Sequence, residues 1–284
     1  MLLPERSDPI REFFGRPYEA RVSEIKHLYR HEVKKGQLGE WFNWDAERLD
    51  NEVARNFRLY FHLLLGYSRI LRPRSVLQLG SFTMTDSQWL IADKFPGRIV
   101  ASDYSAEHVE YLRKGFAGGL FDRVEFRVVD IEEPKDSDLH DVTMVVALAV
   151  FSNIQPEGME RFFAALARSP VECVLIGDMY VKPTLTLETE GARSVPMPNS
   201  RNWNHPYLSL GRRHGFDSFF LPDFTYSSFV EARGVFVIHR QVPREAHLRA
   251  IAEGFGSYLA RQDGFLRRYV AEAYPELDCG ARNA

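Results

Sequence analysis

The sequence predicts an α/β protein: a seven-stranded, mostly parallel sheet with an antiparallel last strand, plus an N-terminal helical cap. Three observations predict it. Short apolar runs such as Val76-Leu77-Gln78-Leu79 and Ile99-Val100-Ala101 read as strands buried on both faces. Helix-length segments alternate with these runs from Arg74 onward, the pattern of a parallel sheet wrapped by helices. The last two runs, Phe216 to Phe220 and Gly234 to His239, are joined too closely for a crossover helix, so they should pair antiparallel.

Each element has its own justification. Strands are expected at 75–79, 98–102, 123–129, 141–147 and 171–177, with helices at 85–95, 105–116 and 156–168 between them. Pro156-Glu157 suits a helix start, because proline needs no amide partner there and an acid favours the first turn. Before the sheet, Val53, Phe57, Tyr60, Phe61, Leu64 and Leu65 recur at three and four, the mark of one buried helix face running from about 45 to 71. Pro73 stops it. Residues 181–202, with Pro183, Pro196 and Pro198, read as a long loop or lid. A helix near 203–214 follows, and 243–274 is rich in helix formers. The expected organisation is a helical cap over 1–72, a sheet domain over 73–242 and a helical extension over 243–284. The extension could serve a partner or a homodimer interface, or pack on the core.

Composition narrows the function classes. In 284 residues, 45% are hydrophobic, enough for a sizeable core, and the formal net charge of −3 gives no polycation signal for nucleic acid. The two cysteines, Cys173 and Cys279, suggest neither a disulfide framework nor a zinc site, which fits a cytoplasmic setting. No run approaches the ~20 apolar residues of a membrane helix.

The chemistry concentrates at strand ends. The first strand ends in Gly80 and the second in Asp103, a Rossmann-like strand–turn–helix–strand–acid layout. The glycine lets a ligand approach the backbone, and the acid accepts hydrogen bonds from ribose hydroxyls. An adenosine-containing small molecule is the expected ligand. Ser81 and Thr83 follow in the turn, just before a helix that starts near Met84 and whose N-terminal amides favour an anionic group.

Further motifs stand in order. They are Leu77-Gln78-Leu79-Gly80-Ser81, then Asp103-Tyr104, Val129-Asp130-Ile131, Ala147 to Ile154, and Val174-Leu175-Ile176-Gly177-Asp178. Over about 73–240 the chain resembles the class I S-adenosylmethionine-dependent methyltransferases. The resemblance implies that S-adenosylmethionine is held by Gly80, Ser81, Thr83, Asp103, Tyr104, Asp130, Ile131 and Ala147. It places Phe151 and Asn153 toward a small-molecule acceptor. Two positions depart from the pattern: Gln78 stands where an acid is usual, and Phe82 where a second glycine is usual.

The stretch from Asn202 through Phe216 also resembles sugar O-methyltransferases, which makes His205 the first candidate for a base, with Tyr207 beside the acceptor. Asp178 is the second candidate base. Trp41 and Trp44 either wall the acceptor pocket or pack as part of the cap. The strand-four exit lacks a carboxylate, so no metal is expected. Two other readings stay open. One is transfer of the aminobutyrate arm of the same cofactor, as in nicotianamine-synthase-like enzymes, which the 80–85 loop resembles. The other is a scaffold that kept the fold without the chemistry.

Overall fold

The computed structural model describes residues 57–81, 84–115, 119–181, 193–196, 202–227 and 231–260. Trp41, Trp44, Thr83 and Phe82 lie outside these residues, as do 45–56 of the expected first helix and everything beyond 260.

Helix α1 (Arg58–Leu71) leads into β1 (Ser75–Leu79), α2 (Thr85–Ala92), β2 (Arg98–Asp103) and α3 (Ala106–Gly115). There follow β3 (Val124–Val128), α4 (Asp136–Leu139), β4 (Met144–Leu148), α5 (Pro156–Arg168) and β5 (Cys173–Val181). Beyond β5 come the short strands β6 (Val195–Pro196) and β7 (Trp203–Asn204), then α6 (Tyr207–Arg213), β8 (Asp217–Ser227), β9 (Glu231–His239) and α7 (Arg244–Leu259).

Seven of the strands form one sheet in the order β3-β2-β1-β4-β5-β9-β8. The pairs from β3 through β5 are all parallel. Strand β9 runs antiparallel to both of its neighbours, β5 and β8, so it alone opposes the other six. The expected antiparallel last strand is therefore present, inserted between β5 and β8 rather than at the edge.

Strand alternation sets two cores. Val76, Ile99, Val146 and Leu175 face α1, α2 and α7. Leu77, Val100, Val145 and Val174 face α5 and α6, with Phe162 and Phe163 fully buried there. Because side chains alternate along a strand, apolar residues at every position signal a sheet covered on both faces.

Helix α1 shares the first core with the sheet. Ten consecutive residues, Leu59 to Ser68, are buried, because α7 covers the side of α1 that the sheet leaves open. The two helices meet at glycines. A Cβ on Gly66 would come within 2.4 Å of the Ala250 carbonyl oxygen, and one on Gly254 within 2.9 Å of the His62 carbonyl oxygen. Polar ties flank the contact: Tyr67 Oη lies 2.9 Å from His247 Nδ1 and Ser257 Oγ lies 3.0 Å from His62 Nδ1. Arg72, in the left-handed region at φ 48°, caps α1 by donating its amide to Ser68 O, and Pro73 follows.

The helix expected near 203–214 begins at Tyr207. Trp203 and Asn204 instead pair with Pro196 and Val195, so part of the expected 181–202 loop folds as an antiparallel ribbon. Strand β5 also reaches Val181 by pairing with β9 as far as Glu231. Among the described residues no helix is long and apolar enough to cross a membrane.

Candidate functional site

The carboxyl ends of the parallel strands bring the candidate residues to one edge. Gly80 follows β1 at φ +62°, and a Cβ there would lie 2.4 Å from Val150 Cγ2. Only glycine fits, on conformational and steric grounds together. Met84 and Ala149 also occupy the left-handed region, at φ 56° and 53°. The turns leaving β1 and β4 are thus both held in conformations that cost side-chain-bearing residues about 1–2 kcal/mol each.

Asp103 ends β2 beside Gly80. Its carbonyl oxygen accepts the Val129 amide at 3.0 Å, tying the ends of β2 and β3 together. Its Oδ1 accepts the Ser105 amide at 3.0 Å. Burial pushes its carboxyl up to about 6, against the pull of the Ser105 and Tyr104 amides. The side chain is half-buried, as is Tyr104 beside it. Asp130, beyond β3, is exposed and closes a local turn by accepting the Glu132 amide at 2.9 Å. Ile131 and Ala147 are buried apolar positions.

Ser81 is committed elsewhere than expected. Its Oγ donates to Gln78 O at 3.3 Å and accepts the Ser102 amide at 2.7 Å, so the hydroxyl stitches β1 to β2 instead of facing a ligand. The N-terminal amides of α2 are partly used as well, since Ser87 N donates to Gln78 Oε1 at 3.1 Å.

The expected acceptor side is a clamp. His205, 2% exposed, directs Nε2 at the carbonyl oxygens of Phe151 (3.0 Å) and Ile154 (3.1 Å). Two acceptors require the proton on Nε2, which leaves Nδ1 to accept the hydroxyl of Ser194 at 2.7 Å. Burial pushes the imidazole down to about 4, with the two carbonyls opposing. The geometry gives His205 a bracing position, whatever role it has toward a substrate proton. Both nitrogens are engaged, and a second proton would place a charge in the interior. Asp178, 2% exposed, accepts Tyr207 Oη at 2.8 Å and the Ser152 amide at 3.2 Å on the same oxygen. It acts as a hub between β5, α6 and the β4 exit.

Tyr207 and Phe151 are interior rings, with centroids 6.2 Å apart, and neither lines an open face. Asn153 is half-buried and turns its amide back to Ala149 O at 3.1 Å and Val150 O at 3.3 Å. Of the expected acceptor residues, Phe151 and Tyr207 are thus packed inside, while Asn153 is partly exposed and caps its own turn.

The clamp makes a checkable prediction for His205. Long-range proton–nitrogen NMR should show a neutral imidazole with the proton on Nε2 from pH 8 down to about 5. A ring that titrates near 6.5 would contradict the arrangement. Because its two jobs are to donate to carbonyls and accept a hydroxyl, Gln should preserve the clamp better than Phe.

Asp86 escaped the sequence reading. It lies in the first turn of α2, 3% exposed, with Tyr60 Oη donating to Oδ1 and Gln78 Nε2 donating to Oδ2 at 3.1 Å. Burial pushes its carboxyl up to about 6, opposed by the Tyr60 hydroxyl and its own amide. Among the described residues no group of three His, Cys, Asp or Glu side chains could hold a metal ion.

The strand order, with β9 inserted antiparallel between β5 and β8, decides the fold together with one comparison. The methyltransferase domain of bacterial CtHen1-CN superposes with a TM-score of 0.50 at 12% identity, over 64% of this chain and 98% of that one. This is the class I methyltransferase fold. Two looser likenesses are the N-terminal domain of EvdMO1 with SAH bound (TM-score 0.48, 15% identity, 75% of this chain and 97% of that one) and the S-adenosylmethionine-dependent methyltransferase SibL in its apo form (0.47, 19%, 64% and 55%). No family model matches the sequence, and no curated protein matches it either. In the methyltransferase fold described here, Gly80 and Asp103 occupy the ends of two neighbouring central strands, and the His205 clamp braces the β4 exit, whose Val150 lies against Gly80.

Proposed function

We propose that this chain is an S-adenosylmethionine-dependent methyltransferase acting on a small-molecule acceptor, with a sugar or natural-product hydroxyl as the acceptor group. The observation that carries the reading is the pairing of Gly80 and Asp103 at the carboxyl ends of β1 and β2, parallel neighbours in register. In open α/β sheets ligands bind outside the carboxyl ends of the strands. The residues fit the group. Gly80 clears the end of β1 of any side chain, and the half-buried Asp103 carboxylate offers an acceptor for a ribose diol. The hydroxyl acceptor is supported by the resemblance of Asn202–Phe216 to sugar O-methyltransferases.

Bound there, S-adenosylmethionine would supply an electrophilic methyl on a sulfonium. The chain's own contribution is positioning. Asp103 orients the adenosine end, and Gly80 permits close backbone approach. His205, Asp178 and Asn202 fix the β4-exit turn: Asn202 Nδ2 reaches Ser152 Oγ at 3.4 Å, while Asp178 holds the Ser152 amide. An aligned acceptor oxygen ~3 Å from the methyl carbon gains most of its rate from that alignment. Its proton passes to solvent, since His205 is engaged at both nitrogens.

Calorimetry with S-adenosylmethionine and with S-adenosylhomocysteine tests the reading. Saturable heat with both is the expected result, and no heat with either on folded protein refutes it. Incubation with candidate acceptors should release S-adenosylhomocysteine. Release of methylthioadenosine would point to aminobutyrate transfer instead.

A further inference from the structure

The Asp86 carboxylate has no obvious reason to be charged where it sits. Among the described residues its partners are the Tyr60 hydroxyl from α1, the Gln78 amide from β1 and its own backbone amide, with no Lys, Arg or His paired to it. A buried acid held only by neutral donors costs the fold free energy whenever it is ionised. Its surroundings place that charge behind the Gly80 turn. Gln78 Oε1 is fixed by Ser87 N at 3.1 Å and Ser87 Oγ at 2.6 Å. Gln78 O accepts Ser102 Oγ at 2.8 Å, and the main chain passes from Gln78 through Leu79 to Gly80. A strand-borne amide is thus wired to a helix-borne carboxylate directly beneath the turn.

We propose that Asp86 supplies the fixed negative charge by which this site favours a cationic sulfonium over its neutral thioether product. The inference rests on the proposed function and adds to it the residue that separates the two ligands. Hydrogen bonds to adenosine, ribose and the amino-acid group are common to both ligands, so they cancel in the ratio of affinities. Only the sulfonium charge differs, and a fixed carboxylate in a weakly polarisable interior acts on that charge at a distance. Once the methyl has left, the attraction goes with it, which favours product release.

Calorimetry on three forms of the full chain tests this: wild type, Asp86→Asn, and the swap Asp86→Asn with Gln78→Glu. The swap exchanges amide and carboxylate across the 3.1 Å bond. The new amide at position 86 would donate to the new carboxylate at position 78. Tyr60 would still donate to the side-chain oxygen at position 86, and Ser87 would still donate to position 78. Every donor stays satisfied while the charge moves from helix to strand. The ratio of S-adenosylmethionine to S-adenosylhomocysteine affinity should fall about fivefold or more in Asp86→Asn and return in the swap, as expected for a fixed charge acting through a weakly polarisable interior. A ratio unchanged in Asp86→Asn overturns the proposal, as does a swap variant that loses the preference as fully as the single substitution. Should Asp86→Asn fail to fold, Asp86→Ser carries the same measurement. If wild type binds neither ligand, it is the functional reading that fails, and the two failures are told apart.

Discussion

Asp103→Ala should lose S-adenosylmethionine binding by two to three orders of magnitude while the protein stays folded. A carboxylate accepting both ribose hydroxyls makes two charge-assisted bonds of ~1.5–3 kcal/mol each, and a loss of ~3–4 kcal/mol corresponds to that fold-change. Folding should survive, because the local duties of the side chain are bonds to the adjacent Ser105 and Tyr104 amides. Calorimetry or fluorescence titration reads the affinity, and circular dichroism the fold. Binding within tenfold of wild type would remove Asp103 from the site. The pH dependence supplies a second handle. Burial raises this carboxyl to about 6 in the free protein, and the ligand requires the ionised form. Affinity should therefore weaken as pH falls through about 6, by up to ~tenfold per unit, whereas Asp103→Asn should be flat over that range. The sign for stability is the reverse. An acid whose pKa is raised by folding costs stability above about 6, and that cost is relieved as pH falls toward its unfolded value.

Gly66→Val should destabilise the fold by ~3 kcal/mol or more, a drop in Tm of about 10 °C for a domain of this size. The first atom added would meet the Ala250 carbonyl oxygen at 2.4 Å and the Gly254 amide nitrogen at 2.8 Å. Both obstacles are backbone, so no rotamer change relieves them and α1 must move away from α7. Gly256→Ala is the matched control. It lies on α7 with nothing within 4 Å of the new methyl, so it should raise stability by ~0.5–1 kcal/mol through helix propensity. Differential scanning calorimetry on the three proteins checks both signs. A Gly66→Val protein that melts with wild type would show that the helices do not meet as described.

The sheet was legible because its strands are nearly pure apolar runs, and a strand covered on both faces leaves little room for polar residues. Helix α5 was legible from Pro156 to Arg168 because its start carries proline and acid and its apolar positions fall on one face. The site was less so. Gly80 and Asp103 announce themselves by place, at strand ends. His205 looked like chemistry because its neighbours are polar and aromatic. What decides its role is a pair of carbonyl oxygens some fifty positions earlier, and no local pattern encodes that approach. Trp203-Asn204 read as helix because its partners, Val195 and Pro196, stand in a proline-bearing stretch of sequence that carries no strand pattern. Asp86 was missed since Thr85-Asp86-Ser87-Gln88 has the composition of an exposed first turn, yet all four are buried. The available signal was Gln78: a polar side chain inside a buried strand needs a polar partner, and the neighbouring helix is where to look.

The contact between α1 and α7 carries a consequence for biosynthesis. Helix 58–71 is translated well before residues 244–259, which pack against its outer side. Among the described residues, the strands made in between cover only the other flank of this apolar helix. The contact between α1 and α7 therefore closes only after the strands between them have been synthesised, and the interval before it is when the polypeptide most needs chaperone protection.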